Sequence, residues 1–144
     1  MGKLGNRFGE LAEHLAIPNI MEKFIALGYY FSERGIIRYN EIVSSETGRI
    51  DAELDILLEN DSYSIAVEVK VRPVQTDLIQ HIHRLEILRR YKDRNGDKRE
   101  ICGAIAGVIM LENVRQAALS FGLYVIAQSG DTVKIEEPHQ IRGW

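Results

Sequence analysis

Apolar and polar residues alternate along two neighbouring stretches of this chain. In Ser64-Ile65-Ala66-Val67-Glu68-Val69-Lys70-Val71, the four β-branched residues Ile65, Val67, Val69 and Val71 share one face of an extended strand, and Ser64, Ala66, Glu68 and Lys70 share the other. The stretch from Glu53 to Leu58 repeats the pattern, with Leu54, Ile56 and Leu58 on one side and Glu53, Asp55 and Leu57 on the other. Turn formers, Glu59-Asn60-Asp61-Ser62, lie between them, so the spacing predicts an antiparallel hairpin of two half-buried strands. Register follows from keeping both apolar sets on the core side: a loop over Asn60 to Tyr63 sets Ile56 against Val67, Leu54 against Val69 and Asp55 opposite Glu68. A tighter loop makes Asp55 and Glu68 diagonal neighbours, still on one face.

The rest of the chain reads as helices around further strands. A stripe of Leu4, Phe8, Leu11, Ala12 and Leu15 predicts a helix over 4–16, closed by Pro18, with a second helix from about Asn19 to Leu27. Ile36 to Ser44 reads as a strand and Ser45-Glu46-Thr47-Gly48 as a turn. Pro73 stops the hairpin pairing, and Thr76 or Asp77 caps a helix running to about Tyr91, with Leu78, Ile79, Ile82, Leu85 and Leu88 inward. Asp93 to Lys98 is a polar loop and Ile101 to Leu111 a buried central strand. A helix from Asn113 to Phe121 ends at Gly122, and the strands Leu123 to Ala127 and Thr132 to Ile135 follow, the last at an edge. This order predicts one α/β domain over 1–144, a central mixed β-sheet flanked by helices.

Composition narrows the setting. A 144-residue chain that is 45% apolar and 27% charged has the make-up of a soluble globular domain. Cys102 has no second cysteine to pair with, the first residues carry no apolar signal core, and the longest apolar stretch is too short to span a bilayer. A cytoplasmic location away from membranes is therefore expected. The net charge of −3 sets up no global attraction for a polyanion. Basic residues nevertheless concentrate between 84 and 99, where Arg84, Arg89, Arg90 and Lys92 are candidates for phosphate contacts; the same cations also suit a helix C-terminus. His81 and His83 lie on different sides of a helix and cannot grip one ion together, so both read as helix-surface residues.

The chemistry concentrates on the hairpin. Two carboxylates on one face of neighbouring strands repel unless something positive lies between them. Lys70 is on that face, and a divalent cation satisfies the arrangement better, since magnesium takes one or two carboxylates and fills the rest of its shell with water and phosphate. Asp55, then Glu68-Val69-Lys70 on a hairpin, with an acidic helix before and a helix after, resembles the PD-(D/E)XK nuclease superfamily over roughly residues 5 to 128. The residue before Asp55 is Leu54 rather than proline, a departure from the pattern. The resemblance implies a restriction endonuclease-like fold and hydrolysis of phosphodiester bonds in nucleic acid, DNA before RNA. It further implies Mg2+ (or Mn2+ as substitute) held by Asp55 and Glu68, with Lys70 placing the attacking water. Glu10, or Glu13 in its stead, would complete the site from the first helix. The alternative is a catalytically inactive module of the same fold that binds nucleic acid or protein, and a homodimer suits either reading.

Overall fold

A computed structural model describes residues 20–29, 36–45, 47–130 and 132–144. Six strands form one sheet in simple sequence order: β1 (Ile36–Ser44), β2 (Ile50–Glu59), β3 (Tyr63–Lys70), β4 (Glu100–Gly107), β5 (Tyr124–Ser129) and β6 (Thr132–Glu136). The first three make an antiparallel meander, β3, β4 and β5 run parallel, and β6 returns antiparallel at the edge. Each parallel step needs a crossover, supplied by α1 (Gln75–Arg94) and α2 (Glu112–Ser120). Two right-handed crossovers that step in the same direction place their helices on the same side of a sheet. Accordingly α1 and α2 share one face, where Leu78, Leu85, Leu88, Val114 and Leu119 pack on Leu57, Ala66, Ile105 and Val125. A helical stretch over 20–26 covers the opposite face, Phe24 packing with Ile56, Leu58, Ile65, Val67 and Tyr124. The fold is thus a mixed α/β sheet flanked by helices. Among the described residues no helix is long and apolar enough to cross a membrane.

The hairpin adopts the register set by the Asn60-to-Tyr63 loop, pairing Ile56 with Val67, Leu57 with Ala66, Leu58 with Ile65 and Glu59 with Ser64. Asn60 fixes that loop, its Oδ1 accepting the amides of Ser62 at 2.8 Å and Tyr63 at 2.6 Å. The expectation of half-buried strands is corrected, because α1 lies over the polar face of β3 and buries Ser64, Ala66 and Glu68 together with the apolar face. The inward stripe of α1 is also corrected: Leu78, His81, Leu85, Leu88 and Lys92 are buried, whereas Ile79 is 60% exposed. That spacing of three and four residues is a regular helical stripe, and it carries a histidine and a lysine where an apolar pattern search looks past them. The helix itself begins at Gln75, with Asp77 Oδ2 accepting the Val74 amide at 2.8 Å.

β4 ends at Gly107 rather than continuing to Leu111. The Pro73 ring stands 2.7 Å from where a Cβ on Gly107 would be, and beyond it Val108 and Ile109 turn outward. At Gly103, four residues earlier on the same face of the strand, an added Cβ would meet Leu85 Cδ1 at 2.5 Å, so the glycine lets α1 seat closely on the sheet.

At the loop end of the hairpin, α1 is tied down by charge. Lys92 Nζ donates to Glu59 Oε2 at 2.6 Å and to Asp97 Oδ2 at 2.8 Å, Ser64 Oγ donates to the same Glu59 oxygen, and Arg99 pairs with Asp97 at 2.9 Å. Burial raises the Glu59 carboxyl, and the hydrogen bonds from Lys92 and Ser64, with the charges of Lys92 and Arg99, outweigh it, so the group stays below its usual range. Removing one partner of a buried ion pair strands the other charge in a low-dielectric core. Lys92→Ala is therefore expected to lower the unfolding free energy by about 3–5 kcal/mol in a urea titration. Arg90→Ala, on the exposed side of α1, should change it by no more than about 0.5 kcal/mol.

Candidate active site

At the other end of the hairpin, away from the loop, the β2–β3 ladder gives way to side chains. Beyond Ile56 opposite Val67, the Val69 amide donates to Asp55 Oδ2 at 2.9 Å, so the carboxylate of one strand takes a main-chain donor of the next. Asp55 is thereby fixed in place, half-buried, beside Glu68. Lys70 follows two residues after Glu68 on the same face and is half-buried at the end of β3. The trio read from the sequence is therefore assembled at one place, on the face of the sheet that α1 covers.

α1 adds two groups to it. Arg84 Nη1 donates to Glu68 Oε2 at 2.7 Å, and His81 Nδ1 stands 3.9 Å from that same oxygen. His81 Nε2 lies 3.0 Å from the Ala66 carbonyl oxygen, which can only accept, so the ring proton is on Nε2 and Nδ1 is left bare. Nδ1 is buried and has no hydrogen-bond partner. Burial, above all, pushes the ring down to about 4, so His81 is neutral near pH 7. The expectation that His81 lies on a helix surface is thus corrected, while His83 is exposed as expected.

Electrostatically this end of the hairpin is the reverse of the Glu59 end. Burial first, then the hydrogen bond and charge of Asp55, push the Glu68 carboxyl up to about 8, against the lowering effect of Arg84 and Lys70. Two nearby cations do not fully satisfy two carboxylates held together inside the fold. Adjacent hard oxygen donors in that condition fit a divalent cation, and magnesium needs only one or two carboxylates from a protein. Among the described residues no set of three or more His, Cys, Asp or Glu is placed to hold a metal ion. Glu10 and Glu13 lie outside the described residues.

The basic cluster divides differently from its appearance in the sequence. Arg84 faces Glu68. Arg89 is spent on the fold, donating to the carbonyls of Asp97 and Arg99 at 2.7 Å each and to the Asp93 carboxylate. Lys92 is buried in the Glu59 network. As phosphate contacts, Arg89 and Lys92 are accordingly corrected to structural roles, and of the four cations Arg90 is the one on the exposed surface. The signal that would have separated them is the stripe through 78, 81, 85, 88 and 92, which places Lys92 inward and Arg84 at its margin.

No family model and no curated protein matches this chain. Among solved structures the chain is similar to the EndoMS–dsDNA2 complex, at 16% sequence identity with a TM-score of 0.44 over 87% of this chain. The chain spans 46% of the length of the one it matches there.

The raised Glu68 has a consequence for stability. A carboxyl whose folded pKa lies above its ordinary 4.5 favours the folded state while protonated, and that contribution is lost as pH rises from about 4.5 through about 8. Metal-free protein should therefore lose stability across that window, by a few kcal/mol at most. Glu68→Gln, which keeps the shape without the charge, should flatten the loss and melt higher than wild type at pH 9, read by thermal unfolding at a series of pH values.

Proposed function

We propose that this protein is a metal-dependent nuclease that hydrolyses phosphodiester bonds of nucleic acid, DNA before RNA. The observation that carries the reading is the buried Glu68 pressed against Asp55, with Lys70 on the same strand face. Strongly perturbed carboxyls with specific charged partners collect where a protein does chemistry. The PD-(D/E)XK pattern adds the expectation that these residues act together.

Asp55 and Glu68 would hold Mg2+, or Mn2+ in its place, with Glu10 as a further ligand. When bound, the ion supplies Lewis-acid polarisation of the phosphodiester and eases ionisation of water. The protein's own part is positioning. The Val69 amide fixes the orientation of the Asp55 carboxylate, and α1 roofs the site so that charges act in a medium poorer in water than the surface. Lys70 presents a compact ammonium that orients the attacking water and offsets negative charge growing on the phosphoryl oxygens. Outside the site, Arg90 would touch the nucleic-acid backbone without reading sequence.

A second reading, a nuclease-fold module that binds nucleic acid or protein without cutting, draws on the Arg84–Glu68 ion pair, which partly neutralises the site without a metal. The two separate in a cleavage assay with Mg2+ and Mn2+ over single-stranded, duplex and branched DNA and RNA. The nuclease reading expects metal-dependent cutting that Lys70→Ala reduces by about 10²-fold or more, with binding retained. It also expects millimolar Mn2+ to raise the melting temperature of wild type and to leave that of Asp55→Asn unchanged. Tight binding with no cleavage under any metal would favour the module. A melting temperature indifferent to metal would remove the metal site.

A further inference from the structure

Arg84 meets its buried partner from the rim of the site rather than from inside the core. Along α1 it stands at the margin of the buried stripe, three residues after His81 and next to Leu85, with its side chain 29% exposed. Its partner Glu68 is 7% exposed at the side chain, so the carboxylate is fixed inside while the guanidinium reaches it from the solvent side. The contact runs through a single Nη1 donor to a single oxygen, at 2.7 Å. Lys92, at the far end of the same helix, is the contrast: it is 6% exposed and closed in by both Glu59 and Asp97. A cation walled in by two anions belongs to the core. One that touches a buried ligand oxygen from the rim can leave.

From this we infer that Arg84 is a displaceable counter-ion, standing in the metal-free protein where a divalent cation would draw on Glu68. The inference rests on the nuclease reading for the identity of that cation and adds a regulator of its binding. A positive charge 2.7 Å from Glu68 Oε2 opposes a second positive charge at the same carboxylate, so a metal there binds more weakly while the guanidinium stays and more tightly once it turns away. Arg84 thus weakens resting metal affinity while shielding a buried carboxylate from the repulsion of Asp55. The orphaned His81 Nδ1, 3.9 Å from the same oxygen, offers no proton to replace the arginine's hydrogen bond.

The test is a calorimetric titration of Mn2+ into wild type, Arg84→Gln, Arg84→Met and the double variant Arg84→Gln with Glu68→Gln, without nucleic acid. Arg84→Gln should bind Mn2+ about tenfold or more tighter than wild type, since it loses an opposing unit charge in direct contact with the ligand. The double variant should lose that gain. Its metal-free melting temperature aside, a purely structural arginine would leave the affinity unmoved. If Arg84→Gln lacks a cooperative melt, Arg84→Met, which also removes the charge, decides, tighter binding than wild type supporting the inference and equal or weaker binding overturning it. Wild type that binds Mn2+ no more weakly than Arg84→Gln overturns the inference and leaves the nuclease reading standing. Absence of Mn2+ binding in every variant overturns both.

Discussion

The structure depends on α1 lying across the polar face of the β2–β3 hairpin. A right-handed crossover from β3 to β4 has to place a helix there, and the helix then buries whatever that face carries. It carries Asp55, Glu59, Ser64, Glu68 and Lys70, so the crossover turns an ordinary polar surface into two enclosed clusters of charge. Burying ions is costly unless each finds partners, and the side chains of α1 must supply them. Leu78, Leu85 and Leu88 provide the apolar contact, while His81, Arg84 and Lys92 occupy the turns that meet carboxylates.

The two ends of the hairpin solve the same electrostatic problem with opposite results. At the loop end Glu59 receives Lys92, Ser64 and Arg99, and its carboxyl is held below the usual range. At the open end Glu68 receives Arg84 but also faces Asp55 and the bare Nδ1 of His81, and its carboxyl is pushed far above that range. Similar burial on one strand pair therefore separates a cluster that holds its carboxyl ionised from one that resists ionisation. A site of the second kind is suited to take up a cation, and a fold keeps it only when the rest of the structure can bear the cost. The Glu59 cluster sits one hairpin length away and anchors the same helix.

Arg84 belongs to both descriptions. It supports the fold by giving a buried carboxylate a partner, and it restrains the site by occupying that carboxylate from the rim. On the proposal that the site takes up a divalent cation, the helix that closes the core would also set how readily it does so.

Much of this arrangement was legible in the sequence. Alternation over 53–58 and 64–71 determines two strands, and the wish to keep both apolar sets inward determines their register, which is why Ile56 meets Val67 as expected. That parity alone puts Asp55, Glu68 and Lys70 on one face. What parity does not say is what covers the face. A strand with alternating polar residues reads as half-exposed, and only the crossover geometry of β3 and β4 brings a helix over it, so the burial of Glu68 and the inward turns of His81 and Lys92 were decided by tertiary structure. The same limit hid the difference between Arg84, Arg89, Arg90 and Lys92, four cations within three turns of helix whose roles depend on which carboxylate or carbonyl stands opposite. Local pattern fixes which side of an element a residue occupies, because backbone geometry is local; the charge and burial it meets there come from residues distant in the chain.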